Sequence, residues 1–188
     1  MRGFHMEDAF PELASEEFSP LLMHKQRFIL YPHLWNHANL KEFAQKAQAI
    51  APIKYFTRDA SNELILNPLI EQTVPADQGG IYMFCIKPPH ITDYTGYLMY
   101  IGRAQKTDCQ NLKKRVKEYQ KELQVLDRPK VCRMLRLWKD FLYVKCVPFS
   151  DNSKIVAVEK DLINSFLPPC NSEIPNITLR NAIAAFGD

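Results

Sequence analysis

The chain has 188 residues, 46% of them apolar, and a net charge of +3, which suits one globular domain or one domain with a small appendage. The longest apolar runs, at 155–158 and 182–186, are far too short to span a bilayer, and the N-terminal segment lacks the apolar core of a signal peptide. We therefore expect a cytoplasmic protein that does not use a membrane. The five cysteines are widely spaced, odd in number and without a C-x-x-C pair, which favours reduced thiols over a disulfide framework.

The N-terminal part of the chain is predicted to be mainly helical. Residues 19–30 begin with Ser-Pro, a typical helix start, and residues 38–52 place apolar side chains on one face before a proline. Residues 53–78 are ambiguous and suggest turns with a helix fragment. The polar stretch TVPADQGG (73–80) reads as a connector, so we treat residues 1–75 as an N-terminal extension of unknown role.

Residues 79–188 change to a pattern in which strands and helices are mixed. The apolar, β-branched and aromatic runs predict strands over 80–87, 97–102 and 141–149. Helical periodicity predicts helices over 111–126, 131–141, 153–166 and 178–186. The order β-β-α-α-β-α predicts an α+β domain in which helices flank a small three-stranded antiparallel sheet.

Charge is distributed unevenly between these two parts. Residues 1–79 carry a net charge of −3 and residues 80–188 a net charge of +6, while residues 103–145 alone hold 13 basic and 5 acidic residues. Such a concentration favours a polyanionic partner, first of all nucleic acid, although a solvated helix face is the simpler alternative. The candidate nucleic-acid-binding residues are Lys113, Lys114, Lys117, Arg133 and Arg136.

Two charged residues stand where the helical pattern calls for apolar ones. On a helical wheel of 111–126, Arg115 lies at the edge of the apolar stripe, whereas four lysines face away from it. Glu159 lies within the apolar stripe of 153–166. A carboxylate there must be paired, protonated or bound to a cation. An ion pair with Arg115 is one interpretation, and a divalent metal is the other, because Mg²⁺ is often held by one or two carboxylates together with water and phosphate oxygens.

Five short segments occur in the order found in one nuclease family. They are GGIYMF (79–84), LMYIGRA (98–104), LKKRVKEY (112–119), VEKDLI (158–163) and PPCN (168–171). Over residues 79–171 the chain resembles the GIY-YIG nucleases. The residues that match the family's functional positions are Tyr82, Tyr100, Arg115, Glu159 and Asn171. Arg103 follows the second triplet, where many members of the family have lysine, so a basic residue is kept with a different geometry.

The resemblance implies a metal-dependent endonuclease that hydrolyses DNA phosphodiester bonds. Glu159 would hold one Mg²⁺ or Mn²⁺ ion per active site, and Arg115 would contact the phosphate. Tyr82 would act as the general base or relay to it, which requires nearby cations to lower its pKa. Tyr100 would orient the water or the phosphate. Asn171 would be a positioning residue that hydrogen-bonds the backbone.

Several alternatives stay open at this point. The nuclease could be a compact stand-alone enzyme of the restriction, defence or mobile-element type, or a structure-specific repair or recombination nuclease. A DNA-binding or partner-binding module without activity is an alternative of another class. RNA as the substrate, a homodimer and a protein partner for the N-terminal extension are also open. His33 and His37 could share a helix face, but a zinc site would need more ligands.

Overall fold

The fold is described by a computed structural model, which covers residues 34–35, 38–88, 96–125 and 127–186. The helix predicted over 19–30 and the histidine pair lie outside these residues. Among the helices that are described, none is long and apolar enough to cross a bilayer.

The described chain contains six strands and six α-helices. The strands are β1 (Ile53–Lys54), β2 (Phe56–Arg58), β3 (Leu64–Leu66), β4 (Gly79–Ile86), β5 (Tyr97–Ala104) and β6 (Leu142–Phe149). The helices are α1 (Ala38–Gln48), α2 (Pro68–Thr73), α3 (Leu112–Glu118), α4 (Pro129–Leu137), α5 (Asn152–Phe166) and α6 (Ile177–Phe186). A 3-10 helix, Tyr119–Leu123, follows α3 directly. The α+β class predicted from the sequence is confirmed.

The main sheet has four antiparallel strands in the order β1-β6-β4-β5, so the prediction of three strands is wrong. The additional strand is β1, in which Ile53 pairs with Val144 and Lys54 with Tyr143. Two residues are too few to show the alternation that marks a strand, and the partner strand is distant in sequence. Strands β2 and β3 form a separate hairpin in the ambiguous segment.

Local sequence signals explain where the helices begin. The Asn111 side chain accepts a hydrogen bond from the backbone of Lys114 at the start of α3, and Asp151 caps α5 by accepting from Ser153. Pro129 lies between the helices predicted over 111–126 and 131–141, and it stands in the first turn of α4, where a missing N–H costs nothing. The helix predicted over 111–126 is α-helical only as far as Glu118 and continues as the 3-10 helix.

Two apolar clusters hold the fold together, one on each face of the sheet. The first contains Phe56 and Ile70 from the N-terminal part together with Phe84 of β4. The second contains Phe43 of α1 and Ile155 of α5. Residues from both sides of the predicted connector therefore contribute to the same cores, which fixes α3, α5 and the central strands relative to one another.

Candidate functional site

The two triplets of the motif face each other across β4 and β5. In the antiparallel register Tyr82 is paired with Gly102, and Phe84 with Tyr100. A Cβ atom at position 102 would lie 2.5 Å from the Tyr82 ring, closer than carbon atoms approach. Glycine is therefore needed opposite the tyrosine, and its absent side chain lets the Tyr82 ring pack over β5. The rings of Tyr82 and Tyr100 lie 6.4 Å apart in a stacked arrangement.

One cleft of about 880 Å³ is lined by all six residues predicted to be catalytic. They come from β4, β5, α3, α5 and the segment after α5, and they are Tyr82, Tyr100, Arg103, Arg115, Glu159 and Asn171. Residues separated by most of the length of the domain are thus brought to one place. The size of the cleft is within the range of ligand-binding sites.

A cluster of phenols lies beneath the cleft. The Tyr82 and Tyr119 hydroxyl oxygens are 2.8 Å apart, and Arg128 donates from Nη1 to the Tyr119 hydroxyl oxygen at 3.0 Å. The Arg128 guanidinium also lies 4.4 Å from the centroid of the Tyr119 ring and pairs with Glu122. A guanidinium can only donate, so the Tyr119 hydroxyl oxygen accepts from Arg128. The hydrogen of the Tyr119 hydroxyl is then available to donate to a neighbouring phenol such as Tyr82.

The sequence analysis did not assign Tyr119 and Arg128 to the site. Tyr119 lies fully buried in the segment predicted to be helical over 111–126, and Arg128 lies between the two predicted helices, just before α4. The signal that could have found Tyr119 is its spacing of four residues from Arg115, which puts both on one side of the helix. No comparable pattern marks Arg128, because its contact with Tyr119 depends on how the chain turns before α4.

The pKa of Tyr82 is raised above its usual range, and the main cause is burial. The neighbouring Tyr100 raises it further, whereas the Tyr119 hydroxyl and the Arg115 guanidinium lower it only in part. Arg115 therefore lowers the Tyr82 pKa as expected, but the groups that the protein itself supplies do not bring it below its usual value. Tyr82 is a neutral phenol at neutral pH, and Tyr100 and Tyr119 have raised pKa values for the same main reason.

Glu159 is paired with Arg103 rather than with Arg115. Its Oε2 lies 2.5 Å from Arg103 Nη1, and its side chain is only 16% exposed. Burial raises the pKa of the Glu159 carboxyl, and the Arg103 guanidinium counteracts part of this rise. Arg115 pairs instead with Glu118 on its own helix, at 3.1 Å.

Asn171 fastens the outer edge of β5 beside the site. Its Nδ2 donates to the Ile101 carbonyl at 2.8 Å, and its Oδ1 accepts from the Ile101 N–H at 2.9 Å. The amide side chain thus takes the place of a neighbouring strand. Because Ile101 stands between Tyr100 and Gly102, this contact fixes the part of β5 that carries the second triplet.

The donor set for a metal ion is small. Within the described residues no three His, Cys, Asp or Glu side chains come together as a preformed metal cage. The cleft does present Glu159, a carboxylate that is largely withdrawn from water. One buried carboxylate fits an ion that completes its coordination with water and with the phosphate oxygens of a substrate. It does not fit a structural site with several protein ligands.

The residues predicted to bind nucleic acid are divided between two places. Lys113, Lys114, Lys117 and Lys121 line a second hollow of about 500 Å³, here called the lysine hollow, which shares no lining residue with the cleft. Lys117 pairs with Glu71 at 2.5 Å, and Lys113 donates to the Glu71 carbonyl. Arg136 of α4 donates to the Leu123 carbonyl, and Arg133 of the same helix is partly buried.

Comparison of the chain with protein-family models, with curated proteins and with solved structures finds no match. The resemblance to the GIY-YIG nucleases is therefore carried by the order of the motifs in the sequence, and it stays a proposal. What the structure adds is the arrangement of the matching residues. Two strand tyrosines, a helical arginine, a glutamate that is largely withdrawn from water and an asparagine bonded to the edge of β5 surround one cleft.

Proposed function

We propose that the protein is a metal-dependent endonuclease of the GIY-YIG type that hydrolyses DNA phosphodiester bonds. The observation that supports this most is the convergence of the six motif residues on one cleft. We propose a nuclease of the restriction, defence or mobile-element type.

The charges around the cleft suit a phosphodiester substrate. Three carboxylates line it, and Glu159 is the one that is largely buried. The cations that line it are Arg103, Arg115, Arg128, Lys160 and Arg180. Guanidinium groups match the geometry of phosphate oxygens and remain charged at any working pH. Arg115 is electrostatically coupled to Tyr82, so it would bind the phosphate under attack.

Tyr82 would accept the proton of the attacking water. The water oxygen would form a bond to phosphorus while its proton passes to the Tyr82 phenolate oxygen. The bond from phosphorus to the 3′-oxygen would break, and the leaving 3′-oxygen would take a proton from solvent water. By the resemblance, the products carry a 5′-phosphate and a 3′-hydroxyl. Because burial raises the pKa of Tyr82, only a small fraction is ionised at neutral pH, and we expect the rate to rise with pH. The hydroxyl of Tyr119 and the guanidinium of Arg115 would stabilise the phenolate.

Glu159 would hold the divalent metal ion. A bound Mg²⁺ or Mn²⁺ would supply positive charge where negative charge develops on the phosphate and on the leaving oxygen. Arg103 contacts the same carboxylate in the structure, so the metal and Arg103 would compete for it. Asn171 would hold β5 in place, and Tyr100 would orient the water or the phosphate.

The first test is cleavage of supercoiled plasmid DNA with Mg²⁺, with Mn²⁺ and with EDTA. We expect nicking or linearisation that depends on the metal. Glu159→Gln should lower the rate by about 10²–10³-fold, the range for removal of one group that stabilises the transition state. The matched control is Glu173→Gln, an exposed carboxylate in the same cleft, which should change the rate less than about threefold. Equal loss in both variants, or no cleavage in either metal, would contradict the proposal.

The second candidate function is a DNA-binding module without nuclease activity. The observation that favours it is the Arg103–Glu159 ion pair, which neutralises the residue expected to hold the metal. In that case wild type and Glu159→Gln would bind the same DNA with equal affinity, and neither would cleave it. Binding in the presence and absence of Mg²⁺ would also be the same.

A further inference from the structure

The cleft extends beyond the residues that match the nuclease motif. Residues 172–175, which follow the matching segment, form part of its wall, together with Lys160 of α5 and Arg180 of α6. A volume of about 880 Å³ lies near the top of the range for ligand-binding clefts, and one phosphate group fills only a small part of it. The structure therefore has space beside the predicted reacting centre for more of the substrate.

Lys160 and Arg180 differ from the other cations of the cleft. Arg103, Arg115 and Arg128 each pair with a protein carboxylate. Lys160 and Arg180 are exposed, and across the described ranges of the chain neither side chain has a hydrogen bond or an ion pair. Two cations that line a cleft and have no partner among the described residues are suited to an anionic group of a ligand.

The start of α6, the helix that carries Arg180, is fastened to α5 by a hydrogen bond. Asn164, which is buried on α5, accepts a hydrogen bond from the backbone N–H of Asn176 at 3.0 Å. The Asn176 side chain in turn accepts from the backbone of Leu179 at 3.1 Å and caps the helix. Leu179 is buried beside Arg180. A residue on a helix that is fastened in this way holds its position better than one on a free loop.

Lys160 is placed next to the predicted metal ligand. It follows Glu159 on α5, so the Cα atoms of the two residues are about 3.8 Å apart and both side chains reach the same cleft. Apolar side chains complete this part of the wall, among them Val156, Ile163 and Ile174. Cations beside an apolar wall suit a nucleotide, whose phosphate is charged and whose sugar and base have apolar faces.

We propose that Lys160 and Arg180 form a binding subsite for the phosphate of a nucleotide that adjoins the scissile phosphodiester. The inference rests on the proposed function for the identity of the ligand, the backbone of DNA. The three arginines that pair with carboxylates then act at the reacting phosphate, and Lys160 and Arg180 hold the neighbouring one. The subsite contributes binding energy, and it contributes equally before and during the reaction.

The test measures binding of a fluorescein-labelled DNA duplex of about 20 base pairs by anisotropy, at salt concentrations from about 50 to 200 mM. We compare wild type with Lys160→Gln, Arg180→Gln, the double variant and Arg180→Lys. The matched control is Lys41→Gln, an exposed lysine of α1 that does not line the cleft. Each cleft variant should bind about five- to tenfold more weakly at low salt, and each should reduce the salt slope by about one. Arg180→Lys should keep most of the affinity, and circular dichroism checks that each variant is folded.

The subsite would be overturned by wild type that does not bind the duplex, by a double variant that binds as wild type does, or by an equal loss in Lys41→Gln. Cleavage rates measured in parallel separate this inference from the proposed function. Weaker binding in the variants without any cleavage by wild type would support the subsite and remove only the nuclease. If cleavage occurs, Arg180→Gln should raise KM and leave kcat within about twofold.

Discussion

Helix α3 borders two basic regions that differ in how their charges are held. In the lysine hollow the ammonium groups reach Glu71 or backbone carbonyls, and Lys114 and Lys117 are exposed to solvent. In the cleft Arg115 and Arg128 lie next to the buried phenols of Tyr82 and Tyr119. Charge density along the sequence points to both regions equally.

The difference is one of desolvation. Removing a hydroxyl or a carboxylate from water costs free energy unless partners replace the lost hydrogen bonds. An exposed lysine stays hydrated and has almost no such desolvation cost. At the cleft, Tyr82 and Tyr119 are buried and the Glu159 side chain is only 16% exposed, and each of these groups has a hydrogen-bond partner. A cluster of polar groups that is buried despite this cost is typical of a functional site. The exposed lysines of the lysine hollow have no such cost and do not call for a functional explanation.

The largest expected effect comes from the phenol of Tyr82. Tyr82→Phe keeps the ring that packs against Gly102 and removes only the hydroxyl. We expect the rate of DNA cleavage to fall by about 10²–10⁴-fold, the range for a general base, while DNA binding changes less than about threefold.

The matched control for this prediction is Tyr143→Phe. Tyr143 is a strand tyrosine of β6 that is partly exposed and does not line the cleft. Its variant should cleave DNA as wild type does. A Tyr82→Phe variant with undiminished activity would mean that the phenol cluster is only a packing feature.

The next effect concerns the glycine opposite Tyr82. In Gly102→Ala the new Cβ would meet the Tyr82 ring at 2.5 Å, so the ring or the strand must move. We expect the free energy of unfolding to fall by about 1–3 kcal/mol, as in other overpacked cores, with a further loss of cleavage from the displaced phenol. Urea denaturation measures the free energy of unfolding, and the plasmid assay measures the rate of cleavage.

Gly96→Ala is the matched control, because no atom lies within 4 Å of the Cβ that it would add. Its free energy of unfolding should stay within about 0.5 kcal/mol of the wild-type value. Equal stability of the two glycine variants would show that the close packing of β5 on Tyr82 does not matter.

The sequence predicts most of the elements that build the cleft and misses those that depend on distant contacts. Strands β4, β5 and β6 and helix α5 are predicted because each has eight to fifteen residues with a clear hydrophobic period. Helix α5 also begins with a capping residue. Strand β1 has two residues and exists only through its pairing with β6. The contact of Arg128 with Tyr119 is of the same kind, since it arises after α3 and α4 have packed.

The residues of the candidate site divide in the same way, into those that a local sequence pattern reveals and those that depend on distant contacts. Arg115 and Glu159 are recognised because a charged residue at or within an apolar stripe needs an explanation. The partner of Glu159 is not recognised, because Arg103 comes from β5 and an ion pair across elements leaves no period in the sequence. The direction of the Tyr82 pKa also requires the structure, since the depth of burial decides it.

A smaller effect follows from the raised pKa values of the buried phenols. Between about pH 10 and the higher pKa in the folded state, unfolded tyrosines lose their protons while Tyr119 keeps its own, so stability falls as pH rises. Below pH 10 the phenol of Tyr119 is protonated in both the folded and the unfolded state, so the stability that it contributes no longer changes with pH. When the pH rises from 10 to 11, the free energy of unfolding of wild type should fall by about 1 kcal/mol more than that of Tyr119→Phe. Urea denaturation at the two pH values measures this difference. Identical pH dependence would show that Tyr119 titrates as an exposed phenol.

The smallest effect is expected in the lysine hollow. Glu71→Gln removes the carboxylate that Lys117 contacts, and both side chains are well exposed, so the thermal midpoint should not change measurably. Removing one negative charge beside the lysines should tighten DNA binding about twofold at low salt, and the gain should vanish at high salt. A gain of tenfold or more would make the lysine hollow a principal DNA-binding surface.

The central claim is that the cleft, and not the lysine hollow, is the reactive centre. Two residues of α3 test it directly, because Arg115 lines the cleft and Lys117, two positions later, lines the lysine hollow. The measurement is the rate of DNA cleavage in a single turnover at saturating protein, for wild type, Arg115→Gln and Lys117→Gln. We expect Arg115→Gln to be slower by about 10²–10³-fold and Lys117→Gln to stay within about twofold of wild type. Equal losses in the two variants, or a larger loss in Lys117→Gln, would contradict the claim.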